Sequence, residues 1–443
     1  MTGALETRPY LSVVATARND DHGGNPLYRM QLFVDGLIAQ CDRHRLRAEL
    51  VLVEWNPPAD RPGLAEVLTW PRGEGWCDVR VVQVPPELHS RLEHADRLPL
   101  FQMIAKNVGI RRARGEFVLA TNIDLLFSDE LMAFITRREL RPDRFYRVDR
   151  HDVPAELDPA APIAVQLRFC RENVIRVNRY NGTRDLLTGT YYRIYDDVPF
   201  LLRMLPKSLH PRMRMLRYIL FRIYAFFYWI WCGLKEPRLA PGRIKKRLRR
   251  MLAAAQPAAG RGGGTPRRRV SLSRIPRLLW LLARGAVVEL RERARAFRRA
   301  WEWEKSRLRL HTNASGDFTL MSKDAWEKTR GYAELEMYSM HIDGLQLYFA
   351  YYMGLREQRL PYPIYHIEHE GGFQPGSQKL DERLARDAIP QITNERLMEW
   401  IYDMYVKQEA LTFNDPNWGF AGVELPEIAQ LEPALTRTHT EVA

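Results

Sequence analysis

GEFVLATNIDLLFSDEL occupies residues 115–131. After a glycine stop comes an apolar, strand-like run, EFVLATNID (116–124), ending on one carboxylate, Asp124. Apolar strands of this kind belong to parallel sheets covered by helices on both faces. Strand alternation puts Asn122, two positions earlier, on the same side as Asp124. In open α/β sheets, ligands gather beyond the carboxyl ends of the strands. A carboxylate there is well placed to hold a divalent cation against a diphosphate, because hard cations share oxygen ligands between carboxylate and phosphate. Read alone, Asp124 fits equally well as the start of a turn before a helix capped by Ser128.

The same rhythm extends upstream. YLSVVATA (10–17) reads as a buried strand, NPLYRMQLFVDGLIAQCDRH (25–44) as an amphipathic helix, and AELVLVEW (48–55) and VRVVQV (79–84) as two more strands. PLFQMIAKNVGIRRAR (99–114) is a helix stopped by Gly115. This alternation predicts an α/β fold with a mostly parallel sheet flanked by helices. The positions that follow each strand therefore matter most: Ala17, Arg18, Asn19 and Asp20; Glu54, Trp55 and Asn56; and Asn122 to Asp124.

Downstream, YPIYHIEHEGGF (362–373) runs strand-like residues into His366, Glu368 and His369. A histidine at a strand end can supply the nitrogen ligand of a metal otherwise held by a carboxylate, although a single histidine is as readily structural. HTNASGDF (311–318) and MHIDGLQLYFAYYMG (340–354) add Asp317 and Asp343. Asp343 stands where a helix begins, so it reads either as a cap or as a functional acid. GRGGGT (260–265) lacks the spacing and the preceding strand of a dinucleotide or phosphate loop.

The chain has 443 residues, 46% hydrophobic and 27% charged, which excludes wholesale disorder. Its four cysteines contain no C-x-x-C pair, which excludes a cysteine zinc ribbon and fits a reducing compartment. The first twenty residues carry an early acid and no basic-then-apolar run, so no secretory leader is expected. The net charge of +13 is unevenly spread. Residues 201–310 hold 29 Lys and Arg against 5 Asp and Glu, a net of +24, and the remaining 333 residues hold 38 against 49, a net of −11. Within the basic stretch, YILFRIYAFFYWIWCGL (218–234) is short for a membrane span, which needs about 20 apolar residues, and it contains Arg222. Its aromatic bulk and flanking arginines suit an in-plane anchor on an anionic membrane surface, the alternative being a buried core helix beside a solvated basic linker. The aromatics cluster in one apolar run instead of interleaving with base-reading polar groups, which argues against a nucleic-acid partner.

Taken in order, SVVATARND, ELVLVEWNPP, KNVGIRRARGEFVLATNIDLLFS, SGDFTLMSKDAWEKTRGYAE, the acid of MHIDGLQ, and IYHIEH resemble a GT-A-fold nucleotide-sugar glycosyltransferase. The chain looks closest to the inverting family-two-like enzymes, with a C-terminal part similar to the β-1,4-galactosyltransferase and chondroitin-polymerising groups. The matched segments cover most of residues 10–373 outside the basic stretch. The resemblance implies a Rossmann-like GT-A domain interrupted by a basic helical insertion. Residues 1–200 would be the nucleotide-sugar-binding half, 201–306 the membrane-associating insertion, 307–432 the acceptor and catalytic half with C-terminal helices, and 433–443 a flexible tail. It implies Mn²⁺ or Mg²⁺ held by Asp124 and His366, with His369 as the alternative histidine. Asn122 stands where the motif's first acid would be. Ala17, Arg18, Asn19, Glu54, Asn107 and Asp317 would line the donor pocket, and Asp343 would deprotonate the acceptor hydroxyl. The implied partners are a nucleotide-diphosphate sugar donor, a saccharide or lipid-linked acceptor, and the inner face of the cell membrane, with the protein cytoplasmic and peripheral. The rival readings are a catalytically silent module scaffolding a membrane assembly, and a basic nucleic-acid binder.

Overall fold

A computed structural model describes residues 8–20, 23–71, 73–194, 308–369, 384 and 388–431. The basic stretch of 201–306, including 218–234, and the tail of 433–443 lie outside the described residues.

The first half of the chain builds β1 (Leu11–Ala17), α1 (Pro26–His44), β2 (Ala48–Trp55), α2 (Leu64–Val67), β3 (Cys77–Val84), α3 (Pro86–His89), α4 (Gln102–Arg112), β4 (Phe117–Thr121), β5 (Leu125–Phe127) and α5 (Asp129–Thr136). It continues with β6 (Arg144–Val153), α6 (Ile163–Glu172), β7 (Arg176–Arg179), β8 (Gly182–Asp185) and β9 (Tyr191–Arg193). The second half supplies β10 (Phe318–Ser322), α7 (Lys323–Thr329), α8 (Ile342–Tyr352), β11 (Arg356–Ile367), α9 (Asn394–Lys407) and β12 (Glu427–Leu431). Pro26, whose fixed φ suits the first helical turn, opens α1. Ser128 caps α5 by accepting the Leu131 N–H.

These strands form one mixed sheet, in the order β12-β3-β2-β1-β4-β10-β6-β7-β8-β9. Its centre, β3-β2-β1-β4, is parallel, and every residue of β1, β2 and β4 is buried. That is the pattern of strands with helices on both faces. β10 is antiparallel to both β4 and β6, so the segments before and after residues 196–308 share one sheet and one compact unit. The fold is thus α/β with a large mixed sheet flanked by helices.

The strand expected over 116–124 is shorter than its apolar run. β4 ends at Thr121, whose Oγ1 donates to the Asp317 carbonyl at 2.7 Å. β5 then leaves that ladder and pairs antiparallel with β11, with Leu125 opposite His366. Asn122, Ile123 and Asp124 form the step between two ladders, so strand alternation does not govern their side chains. Among the described residues, no helix is long and apolar enough to cross a membrane.

Candidate functional site

Asp124 sits at that step, beyond the carboxyl end of β4. The Ile367 N–H donates to its carbonyl at 2.9 Å, which locks the end of β11 against it. This pairing brings His366 Nε2 to 3.6 Å and His369 Nε2 to 3.2 Å from Asp124 Oδ2. One carboxylate and two imidazoles thus converge, with ligand atoms within 4.8 Å of one another. Asp124 Oδ1 is buried and has no hydrogen-bond partner among the described residues. A buried carboxylate oxygen left without a donor is costly unless a cation satisfies it, so the donor set fits a divalent ion. On its other side, His366 turns Nδ1 toward Asp152 Oδ1, 3.3 Å away. A carboxylate behind a histidine fixes the ring so that Nε2 is presented to a metal.

The electrostatics follow from this crowding. Burial pushes the Asp124 carboxyl up, but His366 and His369 outweigh it and hold it well below the usual carboxylate range. Burial and Arg150 push the His366 imidazole down, while Asp124 and Asp152 push it up; the net result is about 10. A metal held by His366 would have to displace that proton.

Asn122 points elsewhere. Its Oδ1 accepts from Lys106 Nζ at 2.7 Å and Gln102 Nε2 at 3.0 Å, and its Nδ2 donates to Asp317 Oδ1 at 2.5 Å. Asp317 Oδ2 in turn meets Arg150 Nη1 at 2.6 Å. Arg150 continues to Asp152, which also holds Arg176. Burial opposes the Arg150 charge, but Asp152 and Asp317 raise it further. Arg150, His366 and Arg176 together drive the Asp152 carboxyl far down despite its burial. Lys106 also donates to the Gly316 carbonyl at 2.7 Å. The Gly316 N–H donates to Asp343 Oδ2 at 2.6 Å and Ser315 Oγ does so at 2.8 Å. A chain of hydrogen bonds and ion pairs therefore runs from Asp343 through Lys106, Asn122, Asp317, Arg150 and Asp152 to His366.

The remaining sequence-derived positions lie around the parallel centre. Ala17 ends β1; Arg18 Nε donates to the Asn56 carbonyl at 2.8 Å, and Asn19 Nδ2 to the Pro62 carbonyl at 2.8 Å. Glu54 is fully buried, its oxygens accepting from the Leu64 N–H and Gln83 Nε2, both at 2.8 Å. Asn107, also fully buried, stitches α4 to the backbone of Tyr332, accepting its N–H and donating to its carbonyl at 2.8 Å each. Asp124, His366 and His369 thus come together directly; Asp343 reaches Asn122 through Gly316 and Lys106, and Asn122 and Asp317 join the trio through Arg150 and Asp152. Glu54 and Asn107 hold the protein's own backbone.

Lys106, Arg150 and Asp152 are the residues that sequence reading misses. Their signals are a lysine inside an apolar helix and, in RFYRVDRHDV (144–153), charges recurring within one strand. Beside the trio opens a cleft of about 720 Å³, lined among others by Tyr28, Arg29, Glu156, Leu187, Glu368 and His369. Compared with known proteins, the chain matches no family model and no curated sequence.

Proposed function

We propose that the chain is an inverting, metal-dependent nucleotide-sugar glycosyltransferase of the GT-A fold, acting in cell-surface glycan synthesis. The observation that carries the reading is the convergence of Asp124, His366 and His369 beyond the carboxyl ends of the parallel strands. The sheet supports it too: a parallel β3-β2-β1-β4 core continues through an antiparallel β10. Asp124, His366 and His369 would hold Mn²⁺ or Mg²⁺, the two imidazoles favouring Mn²⁺ because Mg²⁺ prefers oxygen ligands alone. Held there, the ion would supply positive charge against the diphosphate leaving group. Asp343, anchored by Ser315 and Gly316, takes the proton of the attacking hydroxyl. A single in-line displacement then inverts the anomeric centre and needs no covalent nucleophile. The acceptor is a saccharide or a lipid-linked saccharide, and the protein works as a peripheral protein on the cytoplasmic face of the membrane.

One observation favours a second reading, a silent module in a membrane assembly. Asn122 is bound to Lys106 and Gln102, which leaves the trio a single carboxylate. A thermal-shift screen of nucleotide-diphosphate sugars with and without Mn²⁺, joined to a hydrolysis assay on the same samples, separates the two. A transferase is stabilised by donor only with Mn²⁺ and hydrolyses it slowly, whereas a silent module hydrolyses none. Asp124→Ala and His366→Ala should each remove the Mn²⁺-dependent shift; if both keep it, the shared site is wrong. Asp343→Asn should leave the shift intact and cut transfer by about 10²–10⁴-fold, the range for losing a general base.

A further inference from the structure

The β8–β9 hairpin presents apolar side chains to water. Leu187 is 77% exposed, Leu186 45% and Tyr191 42%. Hydrogen bonds hold this tip in shape. Asp185 Oδ1 accepts the N–H groups of Leu187 at 2.9 Å and Thr188 at 2.8 Å, and the Asp185 N–H donates to the Thr190 carbonyl at 2.9 Å. Leu186 is fixed at its own N–H, which donates to the Ile175 carbonyl at 2.9 Å. A turn built this way keeps two leucines outward, where each exposes apolar area that an apolar medium would cover favourably.

The surroundings of the tip select that medium. Arg179, Arg184 and Arg193 are exposed along the hairpin. Residues 176–194 contain four arginines and one acid. That acid is Asp185, whose carboxylate is turned onto its own loop amides. Tyr180 and Tyr191, each with an arginine over the ring, add amphipathic side chains suited to a lipid–water boundary. Arg176 and Arg179 are paired with carboxylates outside the hairpin, but leucines at a tip, tyrosines behind them and the exposed Arg184 and Arg193 alongside complement an anionic bilayer better than a protein surface. Leu187 also lies on the rim of the cleft that contains His369 and Arg29.

We infer that the β8–β9 tip is a membrane-docking element. Leu186 and Leu187 enter the acyl boundary of an anionic bilayer, and Arg184 and Arg193 bind lipid phosphates. Docking itself requires no transfer chemistry; only its use, setting the mouth of the cleft at the lipid surface where a lipid-linked acceptor lies, rests on the transferase reading.

The test is flotation of the full chain with vesicles of phosphatidylcholine and phosphatidylglycerol, at low salt and at high salt. The Leu186→Asp/Leu187→Asp variant changes exposed side chains only, so circular dichroism should match that of the unaltered chain. Its vesicle affinity should fall by about tenfold or more, with the loss largest at high salt, where apolar insertion is not screened. Arg184→Gln/Arg193→Gln should weaken binding to anionic vesicles at low salt. Wild-type affinity in the leucine variant overturns the proposal, as does an unaltered chain that ignores anionic vesicles. A variant that alters only the oligomeric state also overturns it, because the tip would then be a contact between copies. Mn²⁺-dependent nucleotide binding, followed in the same samples, fails separately if the transferase reading is wrong.

Discussion

Lys106 is an ammonium with no exposure to water, hydrogen-bonded to Asn122 and Gly316 and within the fields of Asp317, Asp343 and Asp124. Burial pulls its pKa down, the three carboxylates pull it back up, and the balance is about 8 against an ordinary 10.5. Between those values the unfolded chain binds the proton and the folded one releases it, so stability rises with pH across pH 8 to 10.5. Below pH 8 both states are protonated and the folded state bears the whole cost of the buried charge, of the order of 3 kcal/mol. Lys106→Met removes that titration. Urea unfolding at pH 8 and pH 10 should give a smaller gain at the higher pH in the variant than in the unaltered chain; equal gains would place the titrating group elsewhere. An asparagine at 122 suits this neighbour, since its carbonyl oxygen accepts from Lys106 while its amide donates to Asp317. An aspartate there would lose that donor and face Asp317 with a like charge.

At the scale of elements, α4 carries Lys106 and Asn107 into place because Gly109 lets it approach the sheet. A Cβ on Gly109 would come within 2.5 Å of Val14 Cγ1 and 3.0 Å of Val53 Cγ2. Both neighbours are β-branched and stiff on fully buried strands. Gly109→Ala gains about 1 kcal/mol of helix propensity, but the overpacking costs about 1–3 kcal/mol and moves the helix off the sheet. Net destabilisation in urea, with weakened Mn²⁺-dependent donor binding, is the expected outcome; a more stable variant would mean that the valines yield easily. The same burial explains what the sequence conceals. The strands β1 and β2 are legible because unbroken apolar runs end at turn residues, and their bounds match the structure within a residue. Residues Met103 to Ile110 of α4 are all buried, so the helix shows no polar stripe and Lys106 gives no hint of its partners. Asp124, His366 and His369 are legible by residue type and by position at strand ends. The jog that parts Asn122 from Asp124 is not, because it arises from β5 leaving one ladder for β11, a pairing of segments more than two hundred residues apart. The antiparallel insertion of β10 between β4 and β6 is concealed for the same reason.

Across the whole molecule, charge is partitioned more sharply than composition suggests. Residues 201–310 carry +24, whereas the rest of the chain is net acidic at −11. Packed compactly, the basic stretch would repel itself; against an anionic bilayer each Lys or Arg contributes about 1 kcal/mol, and salt screens that gain within a Debye length. The Leu186–Leu187 tip would add apolar insertion that salt leaves intact. The two contributions lie in different parts of the chain and are separable. All the residues of the candidate site, and every described strand, lie outside 205–300. Replacing 205–300 with a short flexible linker should therefore preserve Mn²⁺-dependent nucleotide binding. It should remove most of the low-salt affinity for anionic vesicles and leave a weak remainder that high salt lowers but does not remove. Introducing Leu186→Asp/Leu187→Asp into that shortened chain should abolish the remainder. An unchanged salt dependence after the deletion would show that the basic stretch does not face lipid. A full chain that shifts duplex nucleic acid at physiological salt while ignoring vesicles would assign the positive charge to a different polyanion.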